Sequence, residues 1–491
     1  MRPINKRIVL FFVIFGFWPS ILSAQQKPNV IIIIGDDISY NDFECYGHPV
    51  IKTPNIDKLA RNGIRFNNAF LTTSSCSPSR TSIILGRYPH NTGAAELHSD
   101  IPKGQIAFPR TLKEVGYYTA QAGKWHFGSA FPKRGDAMEG VFDRTGGSSS
   151  DGGGASGAEK WVQYLQQRPR EKPFFMWFAA HDAHRPWDNQ FVPIKYKAEQ
   201  VVPPALVNSE RTKEDLASYY NEVSRFDFYI GTVVKELEDQ GILQNTIIII
   251  MADNGRPFPG NKTRMYDEGI KTPFIIHWPQ GIGKNGAVSN SLLSVIDIAP
   301  TILELAGVKA ASCFQGRSFS KVLQHPDKKF RNYVFAEHNW HDFRAFERMV
   351  RTEKFLYIEN GLPDLDNRGA ADVMEGGSGA ELQKAFLENS LSTFQKKIFI
   401  TPQPQYELYN CMADTLQMNN LSGRNKYKKK QVELAKILKA WQNETDDSQP
   451  QDLTEDWYDR ISLKPLINKG KRGATPGSDR NATHNNHPGP F

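Results

Sequence analysis

Short apolar runs alternate with longer amphipathic stretches between residues 29 and 306. The runs at 30–34, 174–178 and 247–251 contain only apolar residues, which is typical of strands that are buried on both faces. Two segments, 213–240 and 294–306, have the spacing of amphipathic helices. This alternation predicts an α/β fold, with a large, central, mostly parallel sheet flanked by helices.

The pattern changes after residue 324 to shorter, polar-rich segments, followed by a helical stretch at about 428–442. We interpret residues 25–324 as one large domain and 325–465 as a smaller C-terminal α+β subdomain, in which a helix covers an antiparallel sheet. The tail, residues 466–491, is rich in Gly, Pro, Asn and His, and its composition predicts disorder. The Gly/Ser tract at 145–157 predicts a mobile surface loop.

The N-terminus has the layout of a cleavable secretory leader. Residues 1–7 are basic, residues 8–18 are apolar, and the small residues Ser23 and Ala24 precede Gln25. An apolar stretch this short falls well below the roughly 20 residues that span a bilayer. We therefore predict a signal peptide at 1–24 and a protein that is secreted or periplasmic, without a membrane anchor.

Charge and cysteine content narrow the possible partners. The formal net charge of +7 in 491 residues can steer a polyanion toward the protein. Predicted export argues against nucleic acid as that polyanion. Four cysteines are too few for a disulfide scaffold in so long an exported chain, and the pairing of Cys45, Cys313 and Cys411 stays open.

Oxygen-bearing side chains follow two of the predicted strands. Asp36 and Asp37 close the first strand, and Asp253 and Asn254 close a later one. In an open α/β sheet, ligands bind beyond the carboxyl ends of the strands. Oxygen donors without His or Cys suit a hard cation, for which we prefer Ca²⁺ over Mg²⁺. Turn formation is the alternative role for any single pair of this kind.

The segment Cys76-Ser77-Pro78-Ser79-Arg80, continued by Gly86-Arg87-Tyr88-Pro89, is the most specific motif in the chain. It resembles the signature of type I sulfatases, the formylglycine-dependent members of the alkaline-phosphatase-like superfamily. The resemblance implies that a maturation enzyme oxidises Cys76 to formylglycine (3-oxoalanine), whose hydrate supplies the nucleophile and a metal ligand. It also implies that Arg80 braces the hydrated aldehyde. Leu85 departs from the family, which usually has Thr there, and a buried, inert cysteine is the alternative role of Cys76.

Three further segments extend the resemblance over most of the chain. Gly123-Lys124-Trp125-His126 is similar to a family segment in which the lysine binds sulfate and the histidine takes a proton from the nucleophile. By its position before Arg185 and Pro186, His184 matches the histidine that protonates the leaving group. Lys262, shortly after Asp253 and Asn254, matches a second sulfate-binding cation. Residues 25–324 would then be the catalytic domain.

Within the family, the pattern is nearest to the sulfamidase branch, the N-sulfoglucosamine sulfohydrolases. That branch has Arg at the position of Lys262 and Cys at the position of Pro186, so the substrate stays open. By position, the predicted substrate contacts are His98, Asp100 and Arg185, with His338 or His341 from the second domain. As a substrate contact, His98 is expected to matter more for a saccharide than for an aryl sulfate.

The sequence therefore predicts an exported hydrolase of sulfate esters in a sulfated polysaccharide or its oligosaccharides. The substrate is an algal polysaccharide such as ulvan or a heparan-type glycan. The alternatives are a phosphate or phosphonate monoester hydrolase on the same scaffold and an inactive glycan-binding homologue. O- versus N-sulfate, endo versus exo action and oligomeric state stay open.

Overall fold

The computed structural model describes residues 27–129, 131–147, 155–188, 191–201 and 205–491. The predicted signal peptide lies outside these residues, and so does the central part of the predicted Gly/Ser loop. Within the described ranges, no helix has both the length and the apolar character that crossing a bilayer requires.

A seven-stranded sheet forms the centre of the molecule, with the strand order β4-β5-β1-β6-β7-β2-β8. The strands are β1 (Asn29–Gly35), β2 (Ile64–Phe66), β4 (Tyr118–Gly123), β5 (Phe174–Ala179), β6 (Thr246–Ala252), β7 (Phe274–His277) and β8 (Ala287–Ser289). A separate two-stranded pair joins β3 (Ala69–Phe70) and β9 (Leu293–Ser294). Strands β4, β5, β1 and β6 are parallel, whereas β7 is antiparallel to β6 and β2. The predicted mostly parallel sheet is confirmed.

Helices cover both faces of this sheet. They are α1 (Pro54–Arg61), α2 (Cys76–Leu85), α3 (Pro89–Thr92), α4 (Phe108–Glu114), α5 (Trp161–Gln166), α6 (Glu210–Asp239), α7 (Asp267–Ile270), α8 (Ile298–Leu305) and α9 (Ser320–Gln324). On one face, α2, α4 and α8 pack against Ile32 and its neighbours. On the other face, α1, α5 and α6 pack against Ile31 and Ile33. Alternate residues of β1 thus pack into opposite layers of the core. Because both faces of β1 are buried, the strand is a continuous apolar run.

A four-stranded antiparallel sheet forms the C-terminal part, in the order β10-β11-β12-β13. Its strands are β10 (Val334–His338), β11 (Glu347–Arg351), β12 (Phe355–Asn360) and β13 (Tyr406–Asn410). Two helices, α10 (Ala371–Glu375) and α11 (Gly377–Leu387), lie between β12 and β13, and α12 (Lys428–Glu444) follows. Trp441 of α12 stacks on Phe335 of β10, so the predicted covering helix is confirmed.

The tail differs from its prediction, because residues 466–491 pack against the rest of the protein. The guanidinium of Arg87 donates hydrogen bonds to Asn486 Oδ1 and to the carbonyls of Thr483 and Asn485. The ring of the last residue, Phe491, lies 4.0 Å from the Arg317 guanidinium. The prediction of disorder is corrected here: polar and cation–π contacts hold a segment that is poor in apolar side chains, and composition does not record such contacts.

Candidate active site

The predicted site residues meet at one edge of the central sheet. Asp36 and Asp37 follow β1, Lys124 and His126 follow β4, His184 follows β5, and Asp253 and Asn254 follow β6. These four strands are parallel neighbours, so their carboxyl ends open on the same edge. A cavity of about 650 Å³ lies there, and Cys76, Lys124, His126, His184 and Lys262 line it.

The oxygen donors form a tight, buried group. The backbone amide of Asp37 donates a hydrogen bond to Asp253 Oδ1 at 3.2 Å. The side-chain amide of Asn254 donates a hydrogen bond to Asp37 Oδ1. Asp36 Oδ1 and Asn254 Oδ1 are buried and accept no hydrogen bond from any residue that the structure describes. Buried oxygens without donors are unfavourable in an apoprotein and fit a bound cation. The donor set therefore suits a divalent metal ion.

Three cations balance these carboxylates. Arg80 Nε lies 2.7 Å from Asp253 Oδ2, Lys262 Nζ lies 2.9 Å from Asp37 Oδ2, and Lys124 pairs with Asp36. Burial lowers the pKa of Lys124, but the neighbouring Asp36, Cys76 and Asp253 together outweigh burial, so the pKa lies above its ordinary value. Burial, followed by the neighbouring Asp36 carboxylate, raises the pKa of Asp253 to about 7. A dense, nearly neutral set of charges thus lies beneath the cavity.

Cys76 is the first residue of α2 and lies beside the oxygen donors. Its Sγ is 3.7 Å from Asp37 Oδ1, and its side chain is 2% exposed. Every residue of α2 is buried, so the helix holds Cys76 and Arg80 rigidly on one wall. Burial raises the pKa of the Cys76 thiol well above its ordinary value, although Lys262 and Lys124 lower it in part. The unmodified side chain is therefore a protonated thiol.

Two histidines on the cavity wall form a pair. His126 Nε2 lies 2.9 Å from His98 Nδ1, so one ring donates to the other. Burial, assisted by Lys124, depresses the pKa of His126 well below its ordinary value. Burial, assisted by Arg472, lowers the pKa of His98 to about 4. Both rings are neutral near pH 7, and His98 fixes the orientation of His126.

Four residues at or next to the site have backbone in the left-handed region. Asp37, His98, His126 and Thr263 have positive φ angles of 57°, 61°, 49° and 64°. Residues other than glycine rarely adopt this conformation, because Cβ then crowds the following carbonyl. Such residues persist where the surrounding packing holds them, and they cluster at functional sites. Here the strain aims the Asp37 carboxylate and both imidazoles.

The C-terminal part contributes residues that the sequence did not indicate. Asp372 Oδ2 lies 2.9 Å from Lys262 Nζ and 3.6 Å from His184 Nε2. Asp342, Glu375 and Tyr458 line the same cavity. None of these residues belongs to a recognisable motif, and only the packing of the second sheet against the first brings them to the site.

The predicted substrate contacts have different fates. His98 and His341 line the cavity. Asp100 lies at the surface with its carboxylate 2.7 Å from Lys133 Nζ, and Arg185 forms a bidentate ion pair with Asp215. His338 pairs with Glu347. As the described residues stand, Asp100, Arg185 and His338 do not line the cavity, because other side chains already engage their polar groups.

Comparison with known proteins identifies the class. A family model described as sulfatase matches residues 28–308, more than half of the chain. The chain belongs to the sulfatase family. A second model, the C-terminal domain of N-sulphoglucosamine sulphohydrolase, matches residues 260–360 and places this sulfatase near the sulfamidase branch.

Relatives of this sulfatase act on sulfated glycans. An ulvan-active sulfatase from Formosa agariphila is 27% identical over 479 residues, covering 86% of this chain and 75% of the relative. Human N-sulphoglucosamine sulphohydrolase is 31% identical over 312 residues, covering 58% of this chain and 61% of the human protein. This sulfatase is a sulfuric ester hydrolase, and its relatives support a polysaccharide as the source of the ester.

The fold has solved counterparts. A structure of a protein in complex with its substrate D-glucosamine-2-N,6-O-disulfate matches with a TM-score of 0.63 at 23% identity, covering 85% of this chain and 98% of that one. Likeness at this identity concerns the fold. Sulfatases generally bind a divalent metal, and the donor-less oxygens of Asp36 and Asn254 agree with that property.

Proposed function

We propose that this protein, after export, hydrolyses sulfate esters of a sulfated polysaccharide or its oligosaccharides, with residue 76 as formylglycine and one Ca²⁺ in the site. The observation that carries the proposal is the position of Cys76. It lies between buried oxygens that lack donors and a cluster of cations, and it faces a cavity of about 650 Å³. This arrangement suits an anionic group that is attacked at its centre.

The metal ligands in this proposal are Asp36, Asp37, Asp253, Asn254 and the oxidised side chain at position 76. Carboxylate and amide oxygens favour a hard cation, and Ca²⁺ tolerates irregular oxygen coordination better than Mg²⁺ does. The ion supplies positive charge that stabilises an anion beside residue 76. Formylglycine at this position supplies, as its hydrate, the hydroxyl that attacks sulfur.

The cations of the protein hold the sulfate. Lys124 and Lys262 line the cavity, and both Nη atoms of Arg80 lack hydrogen-bond partners among the described residues although they are buried. Cationic N–H donors that are already in place and free to bind an anion stabilise the negative charge that grows on sulfate oxygens during the reaction. Arg80, Lys124 and Lys262 therefore bind and polarise the substrate.

Two of the histidines that line the cavity, His126 and His184, move protons in this proposal. His126 is neutral, so its free ring nitrogen accepts a proton from a hydroxyl at residue 76. His184 Nε2 lies 3.6 Å from the Asp372 carboxylate and faces the same cavity. In this proposal His184 gives a proton to the leaving oxygen or nitrogen.

The substrate is a sulfated glycan, by analogy with relatives described as ulvan-active sulfatases and as an N-sulphoglucosamine sulphohydrolase. A panel of oligosaccharides that carry either O-sulfate or N-sulfate, with released sulfate as the readout, separates the two bond types. Export is tested by N-terminal sequencing of the mature protein, which is expected to begin at Gln25.

The nucleophile is tested by mass spectrometry of the tryptic peptide that spans residues 66–80, together with hydrolysis of an aryl sulfate. In protein made with its maturation enzyme, we expect oxygen in place of the Cys76 sulfur and the loss of two hydrogens. The variant Cys76→Ala should be inactive while its unfolding midpoint stays close to that of the wild type. An unmodified thiol in fully active enzyme overturns the mechanism.

A further inference from the structure

The active-site cavity also carries negative charge, on the wall that the C-terminal part contributes. Asp342, Asp372 and Glu375 line it, all within 35 residues of one another in the sequence and outside the group of metal ligands. Asp372 and Asp342 are partly exposed, and Glu375 is exposed. The cavity is therefore lined by cations, among them Lys124 and Lys262, and by these carboxylates, of which Asp372 contacts Lys262.

An unsatisfied group marks this cavity as a place for a ligand. His126 is 7% exposed and lines the cavity, and its Nδ1 has no hydrogen-bond partner within the described ranges. A buried polar atom without a partner is costly, and a hydroxyl at the modified residue 76, formed where the substrate reacts, removes the cost. The carboxylates thus lie on the wall of a ligand cavity.

The carboxylates retain capacity to accept hydrogen bonds. Among the described residues, Asp342 Oδ2 accepts one hydrogen bond, from the backbone amide of Ala371 at 2.9 Å, and it lies 3.8 Å from His341 Nε2. Glu375 forms no hydrogen bond or ion pair with any residue in the described part of the chain. Burial, followed by the Asp372 carboxylate, raises the pKa of Asp342 to about 6, so these side chains already repel each other. A further anion here would add to that repulsion, whereas O–H or N–H donors would relieve it.

An aromatic surface completes the wall. Tyr458 lines the cavity, and so does Phe131, whose side chain is 61% exposed. Apolar rings beside a few polar groups are typical of sites that bind a ring-shaped ligand with one apolar face. A pyranose ring has such a face, and it presents hydroxyl groups at its edge.

We propose that Asp342, Asp372 and Glu375 determine specificity by selecting a sulfated sugar whose ring bears hydroxyl or amino groups and rejecting one that bears a carboxylate. This inference rests on the proposed function and narrows it to neutral or amino sugars. Donors on such a sugar pair with Asp342 and Glu375, whereas Asp372, which already accepts from Lys262 Nζ and the amide of Val373, adds negative charge to the wall. A uronic acid places its carboxylate against them in a partly desolvated cavity, where like charges are strongly unfavourable.

The test is competition against aryl sulfate hydrolysis by matched pairs of sulfated monosaccharides. Each pair carries sulfate on the same carbon and differs only in whether the sugar is a hexose or hexosamine or the corresponding uronic acid. For the wild type, in the pair that binds most tightly, we expect the inhibition constant of the acid to exceed that of its partner by about tenfold or more. Competition does not require that the sugar be turned over.

The charge of the wall is then reversed with Glu375→Lys, and Glu388→Lys serves as the control, because Glu388 is an exposed acid that follows α11 and lies outside this cavity. The first variant should reduce the ratio of the two constants to near one, and the control should leave it unchanged. Equal constants in the wild type, or an unchanged ratio in Glu375→Lys, overturn this inference alone. A wild type with modified residue 76 that hydrolyses no aryl sulfate overturns the proposed function, and this inference with it.

Discussion

Single residues at the base of the cavity depend on one another through charge. Asp36, Asp37 and Asp253 are buried, and each has a cationic partner. Removing one member of a buried pair strands the other charge, which typically costs about 3–5 kcal/mol. Substitutions here therefore change both stability and activity, so activity alone does not identify a catalytic role.

Removal of the metal is expected to abolish aryl sulfate hydrolysis. Without the ion, burial and then the neighbouring Asp36 carboxylate disfavour the charge on Asp253 and raise its pKa to about 7. We expect the rate to return on addition of Ca²⁺, and to a smaller extent with Mg²⁺. The measurement is turnover after exhaustive chelation and back-titration, and a rate that survives chelation contradicts the assigned ligands.

The variant His98→Ala is expected to lower kcat/KM by about 10- to 100-fold, equally on an aryl sulfate and on a sulfated saccharide. The reason is the 2.9 Å contact with His126, through which His98 orients a residue that acts on every substrate. The sequence had instead suggested a larger loss on a saccharide than on an aryl sulfate.

Asp100→Ala is the matched control for that comparison, because this neighbouring residue is paired with Lys133 at the surface. Its kcat/KM should match the wild type on both substrates. If the kcat/KM of His98→Ala falls strongly only on the saccharide, the result supports the earlier hypothesis that His98 contacts the substrate directly.

Elements of the fold differ in how clearly the sequence reveals them. Strands β1, β5 and β6 are continuous apolar runs and were predictable, since both of their faces are buried. Strand β4 was not, because it buries Thr119 and Gln121, whose side chains bond to nearby carbonyls. Motif spacing revealed the residues at the strand ends, whereas Asp372 comes from α10 and reaches Lys262 only through tertiary packing.

Strand β7 carries a histidine that should make the central sheet sensitive to acid. His277 ends β7, and burial lowers its pKa to about 4 from the ordinary value of 6.5. Below pH 6.5, His277 binds a proton in the unfolded chain but stays neutral in the folded chain. The free energy of unfolding therefore falls as the pH falls toward 4. Between about pH 7.5 and pH 5 this amounts to about 2 kcal/mol.

The variant His277→Gln should therefore lose about 2 kcal/mol less than the wild type over that range. Urea unfolding at both pH values measures the difference, and substitution of the exposed His325 by Gln should leave the wild-type dependence unchanged. Identical pH dependence in the wild type and His277→Gln would contradict the assignment.

The whole molecule is held together by contacts between segments that are distant in sequence. His90 of α3 pairs with Glu337 of β10, and Asn91 donates to the carbonyl of Thr445. The Arg472 guanidinium lies against the rings of Trp340 and Trp457, at 4.3 and 4.6 Å from their centroids, and pairs with Glu96. The last part of the chain thus ties the two sheets together near the cavity.

Deletion of residues 466–491 is expected to lower the free energy of unfolding by about 3 kcal/mol or more, because Arg87 and Glu96 lose buried partners. Thermal or urea unfolding measures the loss. Lys471→Ala, a change at an exposed position of the tail, should leave the free energy unchanged. If the truncated protein is as stable as the wild type, the contacts of the tail do not stabilise the fold, and the disorder predicted from its composition is supported instead.

The burial of α2 also bears on whether modification of residue 76 precedes or follows folding. Cys76 is 2% exposed, and it begins a helix whose residues are all buried. A modifying enzyme therefore cannot bind this segment in the folded protein. Any enzyme that modifies this side chain has to meet the chain while it is still unfolded. If residue 76 acts as formylglycine, as proposed, the fraction of active molecules is set during biosynthesis and not by later exposure of the purified protein to the modifying enzyme.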